Sequence, residues 1–150
     1  LSLQNEVKES AKNLIKTRKQ LALAKVLAFS NETISIGSSQ FLVKRIDEID
    51  GDSLQEAAIS LLSHLGKNAA VVLGGLPDPN NQQKVILVAA FGSDVISLGL
   101  NAGKFIGAVA KLCGGGGGGR PNLAQAGGRD AKALNSALDF AAQELISHLE

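Results

Sequence analysis

The segment CGGGGGGRPNLAQAGG, residues 113–128, decides how the rest of the chain is interpreted. Six consecutive glycines, Gly114 to Gly119, run directly into an Arg-Pro pair, and a second glycine pair follows. Such a run can be a flexible linker, a cradle for a phosphate group, or a backbone surface on which a large polar partner lies. The flanking sequence distinguishes between these three interpretations.

A linker is disfavoured because helices are predicted on both sides of the glycine run. Before it, an amphipathic helix is expected to begin near Asn101 and to continue to Leu112. After it, Asp130 is predicted to cap a helix. The apolar face of that helix consists of Leu134, Leu138, Ala141, Leu145 and Leu149. Such a helix needs a core to pack on, so we expect a glycine-rich loop anchored at both ends to one body.

A phosphate cradle for a nucleotide is the weakest interpretation. Gly114 to Gly119 satisfy the pattern GxxxxG, but Arg120 and Pro121 stand where a phosphate-binding loop needs lysine and a hydroxyl residue. A dinucleotide-binding fold also places its glycines after a strand, whereas a helix is predicted here. A free-standing nucleotide enzyme is therefore disfavoured.

A docking surface for nucleic acid agrees best with the residues around the glycines. Glycine lets a partner approach the backbone, and its amides can donate to phosphates. Tyrosine and tryptophan are absent, so recognition of a structured RNA by its shape is favoured over stacking of single-stranded bases. The candidate binding residues are Lys111, Gly114, Gly115, Gly116, Gly117, Gly118, Gly119, Arg120, Pro121, Gln125, Gly127, Gly128 and Arg129.

The formal net charge of +1 conceals two basic regions around an acidic middle. Residues 1–29 carry six lysines and arginines against two glutamates, and residues 99–133 carry five basic groups against one aspartate. Residues 30–98 carry four basic and eight acidic groups. The basic regions suit the attraction of nucleic acid, although the lysines of residues 1–29 are equally consistent with a solvated face.

Residues 1–29 are predicted to form a helical arm. Glycine and proline are absent from this stretch, and apolar residues recur every seven positions at Val7, Leu14, Leu21 and Ala28. This narrow stripe favours pairing with another helix, either within the chain or in a second copy through helix 3–29.

Residues 30–150 are predicted to form an α/β domain, with helices packed on a small sheet. Strands are expected at residues 33–36, 41–46, 69–73 and 85–91, and the segment PDPNNQQ should join the last two as a hairpin. Ser53 and Glu56 form a predicted capping box at the start of an intervening helix.

Several features limit the function classes. The single cysteine, Cys113, excludes an internal disulfide and favours a reducing compartment, the cytoplasm or the interior of a mitochondrion or plastid. Cys113, His64 and His148 are isolated in sequence, so neither a catalytic residue nor a metal site is predicted. No apolar run approaches the roughly 20 residues that cross a bilayer. Because methionine is missing even from position 1, we expect a piece of a longer protein.

The glycine segment also carries a family resemblance. GGGGGGRPNLAQAGG, preceded by GKFIGAVAKLCG and followed by a helix beginning at Asp130, resembles the C-terminal domain (C-Ala, DHHA1-type) of alanyl-tRNA synthetases. The same type of domain is attached to DHH phosphodiesterases. The resemblance covers essentially the whole chain, and the glycine–Arg–Pro string with its Ala-Gln-Ala-Gly-Gly continuation is the specific part.

The resemblance implies a non-catalytic, tRNA-binding unit of an alanine–tRNA ligase, which acts in protein biosynthesis. It would dock on the elbow of alanine-acceptor tRNA, link aminoacylation with editing, and have the remainder of the synthetase as a partner, with no cofactor in this fragment. The phosphodiesterases carry histidine where this chain has Arg120, so hydrolysis of phosphate esters is not expected. An oligomerisation, protein-docking or DNA-binding module remains the alternative.

Overall fold

The computed structural model describes residues 33–78, 80–81 and 83–149. The predicted helical arm, residues 1–29, lies outside these residues. Within them, six strands form one sheet in the order β1-β2-β3-β4-β6-β5. The strands are β1 Ile34–Ile36, β2 Ser39–Arg45, β3 Ala69–Gly75, β4 Val85–Phe91, β5 Gly116–Gly119 and β6 Leu123–Gly128. The helices are α1 Gly51–Leu65, α2 Ser93–Ser97, α3 Ala102–Leu112 and α4 Leu134–Leu149, the last preceded by a 3₁₀ turn at Ala131–Ala133.

The sheet is mixed, since β2 and β3 are parallel and every other neighbouring pair is antiparallel. The connection between the two parallel strands is α1, which packs on one face of β3 and β4. The opposite face is covered by α3 and α4. Every residue of β3 and β4 is buried, as expected for strands with helices on both faces.

This arrangement confirms the predicted α/β domain with helices packed on a small sheet. The hairpin between β3 and β4 and the start of α3 after Asn101 also agree with the sequence, because the Asn101 side chain accepts a hydrogen bond from the N–H of Lys104 at 3.2 Å. Asp130 is a cap as predicted, but of the 3₁₀ turn Ala131–Ala133 that leads into α4 rather than of α4 itself, since its carboxylate accepts from the N–H of Lys132 at 3.0 Å.

The predicted capping box of α1 is wrong. The helix begins three residues earlier than the box required, and Asp50 is the N-cap, with a carboxylate oxygen 3.3 Å from the backbone nitrogen of Ser53. Ser53 is buried in the first turn, and its Oγ has no hydrogen-bond partner among the described residues. Aspartate is as good an N-cap as serine, so the residue types alone are equally compatible with a helix that begins after Asp50.

The sequence predicted a glycine-rich loop, and this prediction is wrong for part of the segment. Gly116–Gly119 form β5, the edge strand of the sheet, and pair antiparallel with β6. Glycine is a poor strand former because it has no side chain to pack. The strand forms here because its two ends are anchored and because β6 supplies backbone hydrogen bonds along one side.

Candidate nucleic-acid interface

The segment that the sequence singled out folds as a hairpin, here called the glycine hairpin, which comprises β5, β6 and the turn between them. After α3, Gly114 adopts φ +71°, a conformation that favours glycine, and redirects the chain. The N–H of Arg120 donates to the carbonyl of Leu123 at 2.9 Å, so a two-residue Pro-Asn connection joins the strands. Proline fixes one backbone angle of that connection and so helps to hold the turn.

Successive residues of the glycine hairpin point alternately to the two faces of the sheet. One face, here called the α3 face, carries Ala124 and Ala126, which lie in the core under α3. The other is here called the open face, because α1 packs mainly on β3 and β4 and reaches this end of the sheet at its start, where Gly51 lies beside the Gln125 side chain. The open face carries the exposed residues Gly116, Gly118, Gln125 and Gly127 and the half-buried Leu123.

On the α3 face, tight packing requires glycine. A Cβ at Gly117 would lie 2.5 Å from the Cα of Ala126, and one at Gly119 would lie 2.9 Å from the Cα of Ala124. The helix approaches equally closely, since a Cβ at Gly103 in α3 would lie 2.9 Å from the carbonyl oxygen of Gly119. Side chains at these positions would separate α3 from the hairpin.

On the open face, the fold does not require glycine. Among the described residues, a Cβ at Gly116 or Gly118 would meet no atom within 4 Å, and one at Gly127 would make only an ordinary contact, 3.5 Å from the carbonyl oxygen of Val85. None of these three glycines has a positive φ. Each glycine in a strand costs about 0.5–1 kcal/mol of stability relative to alanine, so the open face is less stable than it could be.

The outer edge of β5 faces α3, whose Gly103 and Gly107 lie close to the backbone groups of Gly119 and Gly117. Because Arg120 and Leu123 form a hydrogen-bonded pair, the alternation of an antiparallel ladder directs the N–H and C=O groups of Gly117 and Gly119 away from β6. A groove of about 540 Å³ lies between this edge and α3. Its lining includes the side chains of Asn101, Lys104 and Lys111.

The structure separates the basic residues predicted for the site. Arg120 lies at the turn of the glycine hairpin and lines a groove on the open face, together with Gln125. Lys111 lies in the groove beside the outer edge. Arg129 follows β6 at the opposite end of the hairpin, roughly 20 Å from Arg120 at the spacing of an extended strand. All three side chains are exposed, and none forms a salt bridge within the described residues.

The other predicted residues have structural roles at the ends of the hairpin. Gly114 and Gly115 close the end of α3, where their N–H groups donate to the carbonyls of Lys111 and Ala110 at 3.1 and 3.0 Å. Gly128 lies against Cys113, and a Cβ there would be 2.5 Å from the Cys113 Cβ. Pro121 is exposed in the turn.

The sequence interpretation missed four polar residues that line the same grooves, namely Gln55, Lys84, Asn101 and Lys104. A signal existed for Lys104, because it precedes Lys111 by seven positions and so shares a face of the predicted helix. No comparable signal existed for Lys84, which precedes β4 and reaches the hairpin only through the pairing of β4 with β6.

Cys113 and the two histidines have packing or capping environments. Cys113 is fully buried, and burial, with a smaller contribution from the charge of Asp130, raises the pKa of its thiol. His148 has its Nδ1 2.8 Å from the carbonyl oxygen of Glu144, and His64 lies in the last turn of α1. Among residues 33–149, apart from the few that are not described, no three His, Cys, Asp or Glu side chains gather as a metal site.

No described helix is long and apolar enough to span a membrane.

Comparison with known proteins identifies the family. The family model of the DHHA1 domain matches residues 38–147. The alanine–tRNA ligase of Synechococcus sp. (strain CC9902) is 59% identical over 150 residues, which are 100% of this chain and 17% of that protein. The alanine–tRNA ligase of Prochlorococcus marinus (strain NATL2A) is 52% identical over 148 residues, 99% of this chain and again 17% of the relative.

A solved structure agrees with these sequence relatives. The crystal structure of the C-Ala domain from Aquifex aeolicus alanyl-tRNA synthetase superimposes with a TM-score of 0.64 at 26% identity, covering 78% of this chain and 96% of that one. The resemblance to the C-terminal domain of alanyl-tRNA synthetases is therefore confirmed, and the chain spans only a small fraction of the length of the full-length ligases. With the family match over residues 38–147, these likenesses show that the chain belongs to the DHHA1 domain family.

Proposed function

We propose that this chain is the non-catalytic tRNA-binding domain of an alanine–tRNA ligase and that it docks on the elbow of the L-shaped tRNA. The observation that carries the proposal is the glycine hairpin, whose edge strand consists of exposed glycines and whose turn carries the exposed Arg120. Backbone N–H groups and arginine side chains are the donors that proteins use most to position nucleic acid by its phosphates. The names of the relatives support tRNA as the nucleic acid.

The domain would act by holding the tRNA close to catalytic sites elsewhere in the ligase. A second point of attachment raises the local concentration of the acceptor end without new chemistry, and tRNA that stays bound can pass from aminoacylation to editing. The lysines and arginines of residues 99–133 would attract the tRNA over a distance. The proposal places the protein in the cytoplasm, where tRNA of bacteria such as these relatives is aminoacylated.

The test is the binding of tRNA to the 150-residue chain over a series of salt concentrations. Affinity should fall steeply with salt, because each neutralised phosphate releases counterions. Arg120→Ala should weaken binding by about tenfold and lower the salt slope by about one unit. Lys67→Ala is the matched control, since Lys67 is exposed but lies in the turn before β3, on the far side of β4 and β6 from β5.

Three results would count against the proposal. Affinity that does not respond to salt would exclude phosphate contacts as its source. Equal affinity for tRNA and for a DNA duplex of similar length would favour the DNA-binding alternative. Absence of tRNA binding together with a dimeric mass in light scattering would favour a domain for oligomerisation, with residues 3–29 as the predicted interface.

A further inference from the structure

The open face of the glycine hairpin is the part of the molecule whose composition the fold leaves unexplained. Gly117 and Gly119 have no room for a side chain, whereas Gly116 and Gly118 have unobstructed space above them. The two sets alternate along one strand, so packing among the described residues accounts for the glycines at 117 and 119 but not for those at 116 and 118. Glycine within a strand commonly marks the close approach of a ligand or another backbone.

Two adjoining grooves run along this face. One, of about 420 Å³, is lined by residues that include Gly116, Gly127 and Lys84. The other, of about 390 Å³, is lined by residues that include Gly118 and Arg120. Gln125 lines both grooves and so lies between them. Together the grooves form a trough, here called the hairpin trough, that is roughly 20 Å long at the spacing of extended strands.

The charge of the hairpin trough favours an anionic occupant. Among the residues that the structure describes, Lys84 and Arg120 are the charged ones in its lining, one in each groove, and no carboxylate lines either groove. Neither of these side chains forms a salt bridge within the described part of the chain. Cations that no protein group neutralises can contribute to the binding of phosphates.

The remaining lining favours RNA over a protein partner. Protein interfaces depend on large apolar or aromatic anchors that fill pockets. Within the described part of the chain, Leu123 is the one large aliphatic side chain in the trough that is not fully buried, and it is half-buried. Instead it presents the side-chain amides of Gln55 and Gln125. An amide both donates and accepts hydrogen bonds, which suits the 2′-hydroxyls and base edges in the wide, shallow minor groove of RNA.

We propose that the hairpin trough is the surface on which a structured RNA is seated through its minor groove, with phosphates near Lys84 and Arg120 and with Gln125 contacting 2′-hydroxyls or base edges. Gly116 and Gly118 provide the clearance that lets the ribose and base edges reach the strand. This inference rests on the proposed tRNA-binding function and adds to it a face, an orientation of contacts, and two further residues, Lys84 and Gln55.

The decisive experiment introduces side chains into the trough without disturbing the fold. Gly116→Val and Gly118→Val each place a strand-forming side chain in open space, so the thermal midpoint should stay within about 3 °C of the parent chain. Affinity for tRNA should fall at least about tenfold, since an obstructed face loses several contacts at once. Ser35→Val is the matched control, because Ser35 is exposed in β1 at the opposite edge of the same sheet.

Two further variants keep the test decisive if a valine variant is unstable. Lys84→Glu lies outside the strands and should also reduce affinity at least about tenfold, by charge repulsion of a phosphate. Gln125→Ala should reduce the preference for an RNA hairpin over a DNA hairpin of the same sequence, because the 2′-hydroxyl distinguishes the two. An unchanged RNA-to-DNA ratio in this variant would contradict the assigned contact.

The result that overturns the inference differs from the result that overturns the proposed function. If the parent chain binds tRNA and the valine variants bind equally well, whereas a Lys104→Ala, Lys111→Ala double variant does not, RNA lies in the groove beside α3 and the trough is not its site. If the valine variants change only the mass in light scattering, the trough contacts protein. If the parent chain itself shows no salt-dependent tRNA affinity, the proposed function is wrong.

Discussion

The two central strands and the glycine hairpin belong to one sheet, but the central strands are rich in large apolar residues and the hairpin is rich in glycine and alanine. β3 and β4 consist of buried residues throughout, mostly branched or bulky apolar side chains between helices on both faces. In the glycine hairpin, β5 is all glycine and exposed, and β6 alternates small buried residues with exposed ones. The comparison shows that the buried apolar side chains that stabilise the sheet lie in its middle, while the edge strand β5 has no side chains to contribute.

The difference extends to the two faces of the hairpin itself. The α3 face lacks side chains because α3 and the cross-strand alanines occupy the space, and this is a requirement of packing. On the open face, β5 has glycines at positions 116 and 118 although side chains would have space there. Packing therefore explains the glycines of β5 on the α3 face. We attribute the glycines on the open face to binding.

The largest predicted effect sharpens the contrast between the centre and the edge. Leu87→Ala removes a fully buried side chain from β4 and should lower the free energy of unfolding by about 2–5 kcal/mol, measured by chemical denaturation. Ile59→Ala is the control, because Ile59 in α1 is 45% exposed and its truncation should change stability by less than about 1 kcal/mol. Equal losses would mean that the buried centre does not dominate stability.

An intermediate effect distinguishes the two faces of the hairpin. Gly117→Ala places a methyl group against Ala126 and should destabilise the chain by about 1–3 kcal/mol. Gly118→Ala enters open space and should be neutral or stabilising by up to about 1 kcal/mol. Thermal unfolding of the two variants measures both. If they lost equal stability, the distinction between required and dispensable glycines would not hold.

The smallest effect concerns the base of the hairpin, where Cys113 lies. Burial raises the pKa of this thiol in the folded chain above its value in the unfolded chain. The buried thiol therefore makes its full contribution to the free energy of unfolding below the thiol pKa of the unfolded chain, about 8.5. This contribution is lost as pH rises through the thiol pKa of the folded chain. Between pH 8 and 10 the free energy of unfolding should fall more for the parent chain than for Cys113→Ala, by less than about 1.4 kcal/mol per pH unit. Parallel curves would show that the thiol is not protected from ionisation.

The sequence was sufficient to predict the parts of the fold that depend on hydrophobic pattern. The continuous apolar runs of β3 and β4 favour buried strands and the helical spacing of α3 and α4 favours helices, and the structure has these elements. The specific glycine segment also pointed to the correct family. These features are local, so no knowledge of distant contacts was needed.

The sequence could not predict features that depend on pairing at a distance. A glycine run has no side-chain pattern, so nothing local distinguishes a loop from the strand that β6 stabilises. The place of Lys84 beside the hairpin is set by the pairing of β4 with β6. The division of the glycines between two faces appears only once α3 has been placed.

The most direct test of the central claim, that the open face of the glycine hairpin contacts RNA, is a titration of isotope-labelled chain with tRNA, followed by NMR. We expect the backbone amides of Gly116 and Gly118 and the side-chain amide of Gln125 to shift or broaden early, while the amide of Ser35 in β1 stays unaffected. Saturable tRNA binding that leaves these three groups unchanged would contradict it.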